Sequence, residues 1–182
     1  MIITKKDLKE YIQADRARYG LRKFSIFGRL LNDESYYVTK FLYTLRHLEY
    51  YKNNSGNLFY KIPYIYWFLK HRNLELRLGI RIAPNVVGKG LYIPHIVGVI
   101  INALRLGDNC TVNTGCIIGN KSHSENKPII GDNVEITIGS KVIGRIRIGN
   151  NVIVAPNSVV INDVPENAVV SGIPAKIIKY ND

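Results

Sequence analysis

The sequence predicts a mainly β protein, a parallel solenoid with three flat faces, preceded by a small α-helical region. Three observations carry this: a six-residue period in the second half, one polar break in that period, and a change of composition near Ile80.

The period is strict. Ile130, Ile136, Val142, Ile148, Val154 and Val160 follow one another at steps of six. Val134, Ser140, Ile146, Val152 and Ser158 stand four places after the first five of them, and most are small or β-branched. The same frame continues upstream through Ile100, Leu106, Val112 and Ile118, with Cys110 and Cys116 in the small-residue slot. Six is neither the two of an alternating strand nor the 3.6 of a helix. It fits one hexad per face and about 18 residues per coil, with the aliphatic residue inward. Stacked coils then bury a continuous aliphatic column, and each coil needs a neighbour or a cap.

The frame breaks between Ile118 and Ile130, where Gly119-Asn120-Lys121-Ser122-His123 begins a polar stretch that Pro128 closes. This reads as a loop, 119–129, pushed out of the solenoid. On a rigid repeat scaffold such an excursion is a usual place for function.

Composition places the boundary at residues 79–80, with a helical region over 1–79, the solenoid over 80–170 and a tail over 171–182. The net charge of +11 is uneven: residues 1–81 hold 16 Lys+Arg and 7 Asp+Glu, the remainder 9 and 7. Ten of twelve tyrosines also precede residue 82. Thr4 with Asp7 reads as a helix start, followed by a rough stripe of Leu8, Tyr11, Ile12 and Tyr19. Asn32-Asp33 opens a second helix carrying Val38, Phe41, Leu42, Leu45 and Leu48, which Asn53-Asn54-Ser55-Gly56 ends. Segment 58–72 is aromatic and basic, and Pro63 is expected to divide it into short helical pieces. Two roles suit it: packing on the solenoid or a neighbouring subunit, or contact with an anionic membrane surface. His47 and His71 are expected at the surface.

Other classes are disfavoured. Two cysteines form neither a disulfide framework nor a metal signature, and they read as small interior residues in a reducing compartment. No signal peptide is expected from the charged start, and no apolar run reaches the length of a membrane span. Basic excess without a motif gives no reason to expect nucleic acid.

The hexapeptide frame, the IPHIVGVIIN segment (93–102), the protruding loop and the SGIPAKIIK ending (171–179) resemble the serine acetyltransferase-like branch of hexapeptide-repeat acyltransferases. LRHLEYY (45–51) and LELRLGIRIAPNVVGKGL (74–91) make the chain most similar to capsular and exopolysaccharide O-acetyltransferases within it. The resemblance implies a left-handed parallel β-helix, a cytoplasmic homotrimer, and active sites in the clefts between subunits. Acetyl-CoA would lie along such a cleft as co-substrate, with no metal. His95 matches the family's general base. The backbone at Gly119 and Asn120 matches its oxyanion position, and Ile138, Gly139, Pro156 and Lys176 match its CoA contacts. His123, Lys127 and Arg81 are candidates for contact with the acceptor.

The chemistry suits a histidine. An alcohol attacking a thioester needs a base that accepts its proton, and imidazole titrates near neutrality, at about pH 6.5 when unperturbed. The sequence departs from serine enzymes at three places. Arg81 and Pro94 stand where they carry acidic residues, and Lys127 lies near their second histidine. The expected acceptor is therefore a sugar hydroxyl of a surface polysaccharide, lipid-linked at the inner membrane face, with His95 oriented by a backbone carbonyl. The alternatives are serine O-acetylation, a zinc carbonic anhydrase, which would need three histidines, and a non-catalytic scaffold.

Overall fold

A computed structural model describes residues 1–20, 28, 30–31, 33–120 and 125–181. Helix α1 (Lys5–Ala17) starts with a capping box, in which Thr4 Oγ1 accepts from the Asp7 N–H at 3.1 Å and the Asp7 carboxylate accepts from the Thr4 N–H at 2.8 Å. Asp can thus play the part of the usual Glu or Gln. Helix α2 (Glu34–Asn53) is capped by Asp33, whose carboxylate accepts from the Ser35 N–H. Asn32, the other residue of the expected start, lies outside the described residues.

Helix α3 (Leu58–Leu78) corrects the expectation for segment 58–72. It runs unbroken through Pro63 and ends at Gly79, φ +63°. Pro63 sits just past the first turn, so the helix loses one backbone bond, to Phe59, a residue so exposed that water can take the carbonyl instead.

The strands, numbered in chain order, make three faces. The first contains β1 (Ile80–Ile82), β2 (Val99–Ile101), β5 (Ile117–Gly119), β8 (Lys141–Ile143) and β11 (Val159–Val160). The second holds β3 (Arg105–Leu106), β6 (Ile129–Ile130) and β9 (Arg147–Ile148). The third holds β4 (Thr111–Val112), β7 (Glu135–Ile136), β10 (Ile153–Val154) and β12 (Ala168–Gly172), with β13 (Ala175–Tyr180) paired antiparallel on its edge. All other pairings are parallel, as a repeating coil requires. Residues 175–180 are thus a strand of the third face rather than a free tail.

The inward column matches the frame from Leu106 to Val160, each residue being almost wholly buried. Ile100 departs from it. It points outward, while Val99 and Ile101 point in, and Ile101 pairs with Ile118. The turn from β2 to β3 is one residue shorter than a hexad, which shifts the frame by one. Cys110 and Cys116 are interior, and burial pushes the Cys110 thiol up to about 11 and raises that of Cys116.

Between the second and third faces, Asn109, Asn133, Asn151 and Asn167 all adopt positive φ, a conformation asparagine tolerates better than most residues. Asn133 donates to Asn151, and Asn151 to Asn167, so the corners form a ladder.

A buried polar cluster seats the helices on the first coil. Arg46, fully buried, binds Asp15 of α1 at 2.8 Å, Glu49 at 3.1 Å and the carbonyls of Val87 and Gly88. Asp15 also accepts from the Gly90 and Leu91 N–H groups, and Glu49 from that of Asn85. Burial opposes the charge on Arg46, but Asp15 and Glu49 outweigh it and raise its pKa.

His47 and His71 are not surface residues. His47 is half-buried and stacked on Trp67 at 4.3 Å, and His71 is buried against Phe41. The aromatic side chains of α2 and α3 enclose them.

Candidate functional site

His95 sits on the edge where the third face turns into the first. The segment before it is fixed by Tyr19, whose hydroxyl accepts from the Ile93 N–H at 2.7 Å and whose ring meets Tyr92 at 4.8 Å. The segment after it is fixed by Thr114, which donates to the Ile96 carbonyl, and by the Val97 N–H, which donates to Leu78. Val97 and Gly98 then take φ +80° and +76°. For a β-branched residue that conformation is strained, costing about 1–3 kcal/mol, and it persists because these neighbours hold it. At Gly98 the positive φ is what favours glycine, since a Cβ there would lie 3.4 Å from the Gly115 backbone, an ordinary contact. The result is an exposed imidazole on a firmly tied turn.

A carboxylate meets that imidazole. Glu34, the first residue of α2, places Oε2 2.9 Å from His95 Nδ1. A carboxylate only accepts, so Nδ1 carries the proton and Nε2 of the neutral ring keeps its lone pair facing outward. This replaces the expected backbone carbonyl. Arg81 had suggested that no acid was near, but the acid comes from another element. A separation of 61 positions left no spacing signal; the one hint was an acid in the first turn behind a capping Asp.

The remaining candidates divide between two edges. Gly98, Gly115, Gly139 and Asn157 stack up the edge that carries His95, so Ile138, Gly139 and Pro156 lie along it as well. Ile138 and Pro156 are exposed. Gly119 and Asn120 lie on the next edge, where the first face turns into the second, with Asn102 donating to Asn120 at 3.0 Å. Lys127 is half-buried at the far end of that loop. The first face separates the two edges by about five residues of strand, roughly 16 Å. A single chain therefore does not bring His95 to Gly119 and Asn120.

Arg81 points out of that face into a cavity of about 360 Å³ shared with Arg72, Glu75, His71 and Asn102. Lys176 is exposed on β13, and His123 lies outside the described residues. Among the described residues no group of three His, Cys, Asp or Glu side chains could hold a metal ion.

Fold and neighbours define the class, a hexapeptide-repeat left-handed parallel β-helix. The serine acetyltransferase of Brucella abortus strain S19 superposes with a TM-score of 0.73 at 22% identity, over 98% of this chain and 71% of that one. The same enzyme solved in complex with coenzyme A gives 0.70 at 20% identity, over 98% and 70%. In sequence the chain is 40% identical over 131 residues to a serine acetyltransferase of Staphylococcus xylosus, covering 70% of this chain and 61% of that protein. The chain thus spans less than two thirds of that relative's length. No protein-family profile matches it.

Proposed function

We propose that this chain is an acetyl-CoA-dependent O-acetyltransferase with His95 as its general base. The observation that carries the reading is the Glu34–His95 pair on an exposed, strained turn. With Nδ1–H held by Glu34, Nε2 takes the proton of the acceptor hydroxyl as its oxygen attacks the thioester carbonyl. Collapse of the tetrahedral intermediate breaks the carbon–sulfur bond, and the imidazolium returns the proton to the departing CoA thiolate. The acetyl group ends on the acceptor, and the base is regenerated. Glu34 also stabilises the imidazolium that forms on the way.

Backbone N–H groups at Gly119 and Asn120 are the proposed oxyanion donors. Their place on the other edge supports a homotrimer, in which the loop edge of one copy faces the His95 edge of the next. Acetyl-CoA would follow the stacked turns at Ile138, Gly139 and Pro156, with Lys176 near its phosphate.

The comparisons support serine as acceptor, because relatives 40% and 44% identical to this chain over their matched stretches carry that name. Glu34 also removes one argument against it, the lack of an acid beside the base. A second reading keeps a sugar hydroxyl of a lipid-carried polysaccharide precursor at the inner membrane face, with Arg81, Pro94 and Lys127 as its motivation. Release of free CoA on adding L-serine, against release on adding oligosaccharide, separates the two.

The test of the base is His95→Ala, which is expected to lower kcat/KM by roughly 10²–10⁴-fold. Glu34→Gln is expected to cost about tenfold, since it removes the charge and keeps an acceptor. A loss of less than about tenfold for His95→Ala would sink the assignment.

A further inference from the structure

Helix α3 has two apolar faces, and the protein covers one. Inward it gives Trp67, His71, Leu74 and Leu78 to α2 and the first coil. Outward, Leu58, Ile62, Ile65, Leu69 and Leu76 form a second line, each 55–78% exposed. Their steps of four, three, four and seven keep them on one side of a helix about 31 Å long. Contiguous apolar surface of that length on a folded protein marks a contact.

The charge beside the line narrows the partner. Lys61 and Arg72 flank one side, Lys70 and Arg77 the other, and aromatic Phe59 and Tyr66 stand at the rim. The helix has one carboxylate, Glu75, and it is already engaged with Arg72 and the Ile82 N–H. Next to the line, a groove of about 440 Å³ between α2 and α3 is lined by Lys40, Lys70 and Arg77 with Tyr66 and Leu69, and among the described residues no acidic side chain lines it. A second copy of this helix would bring those cations against their own kind with no free carboxylate to answer them. An anionic lipid surface supplies both an apolar phase for the line and phosphates for the groove.

We infer that α3 lies in the surface of an anionic phospholipid bilayer, with lipid phosphates in the Lys40–Lys70–Arg77 groove. Leu58, Ile62, Ile65, Leu69 and Leu76 enter the acyl boundary while the lysines and arginines snorkel to the headgroups. No described helix is long and apolar enough to cross the bilayer, so the contact is one of surface. The inference deepens the location suggested by the lipid-carried acceptor. It does not depend on acetyl transfer, because its assay reads binding.

The experiment is cosedimentation of the full chain with phosphatidylcholine–phosphatidylglycerol vesicles and with phosphatidylcholine vesicles. Binding is expected on the first and not the second, weakening steeply with added salt. Lys61→Ala with Arg77→Ala is expected to weaken it about 25-fold, near fivefold for each cation. Leu69→Glu, at an exposed position, is expected to abolish binding and leave the circular dichroism unchanged. Equal binding to both vesicles, or none to either, overturns the inference. So does a Leu69→Glu protein that binds vesicles as before. A fall in solution mass for Leu69→Glu without any vesicle binding would assign the line to a second copy instead.

Discussion

The helical region and the solenoid are built on opposite plans. In the solenoid, each inward aliphatic residue is one of a row of near equivalents, so the loss of any one is shared by the coils above and below. The helices have no such row. Their seat on the first coil centres on Arg46, which links Asp15, Glu49 and the carbonyls of Val87 and Gly88. The candidate site straddles the two plans, with His95 on a repeated corner and Glu34 on the helix that Arg46 holds down.

The comparison breaks most directly at Arg46. Arg46→Ala leaves two buried carboxylates without their cation, and it is expected to cost about 3–5 kcal/mol in chemical denaturation. The same change should loosen α2 and cut activity through Glu34, while the strand signal of the solenoid persists at intermediate denaturant. A loss below about 1 kcal/mol, or one cooperative transition for both regions, would show that the two are not separately organised.

The helices should also be the acid-labile part. Thr44 gives its hydroxyl proton to the Phe41 carbonyl, so it accepts from His71 Nδ1. Nε2 has no hydrogen-bond partner, with Glu75 Oε1 at 3.7 Å. Burial pushes His71 down to about 4, against some help from Glu75. The folded pKa lies below the unfolded value, so the unfolded chain binds the extra proton between them. The stabilisation from keeping His71 neutral is whole above about pH 6.5 and disappears as pH falls toward 4, a change on the order of 3 kcal/mol. Thermal unfolding followed by helix signal from pH 7 to pH 4 should show this loss, and His71→Gln should flatten the curve. A His71→Gln protein as acid-sensitive as the parent would place the lability elsewhere.

The same contrast explains what could be read from the sequence. The solenoid announced itself because every coil repeats one solution, and six-residue spacing survives without knowledge of the partners. Even its misreading, Ile100, came from a local one-residue shortening that a strict period cannot register. The asparagines at 109, 133, 151 and 167 were a legible corner signal that the aliphatic frame overshadowed. His95 was readable as a candidate through the residues around it, but its neighbour Glu34 was not, because that contact depends on how α2 lands on the coil. His47 and His71 look like surface residues in a basic segment until the second helix closes over them. Pro63 misleads for a related reason, because its cost depends on its distance from the helix start, and sequence alone fixed that start poorly.

The mildest test lies in the solenoid. Cys110 fills an interior slot that elsewhere takes Val134 or Ser140, and its thiol sits 3.3 Å from the Gly131 carbonyl, to which it donates. Buried and with its pKa raised to about 11, it has neither the access nor the thiolate fraction for redox chemistry. Cys110→Ala removes one small group and one weak bond, so a cost of about 1 kcal/mol is expected in the same denaturation assay. In the native protein a thiol reagent should react with Cys110 only as fast as the coil opens, and denaturant should release the reaction. Rapid labelling of the folded protein would mean that this coil opens locally, and the even sharing of stability claimed for the solenoid would fail at that point.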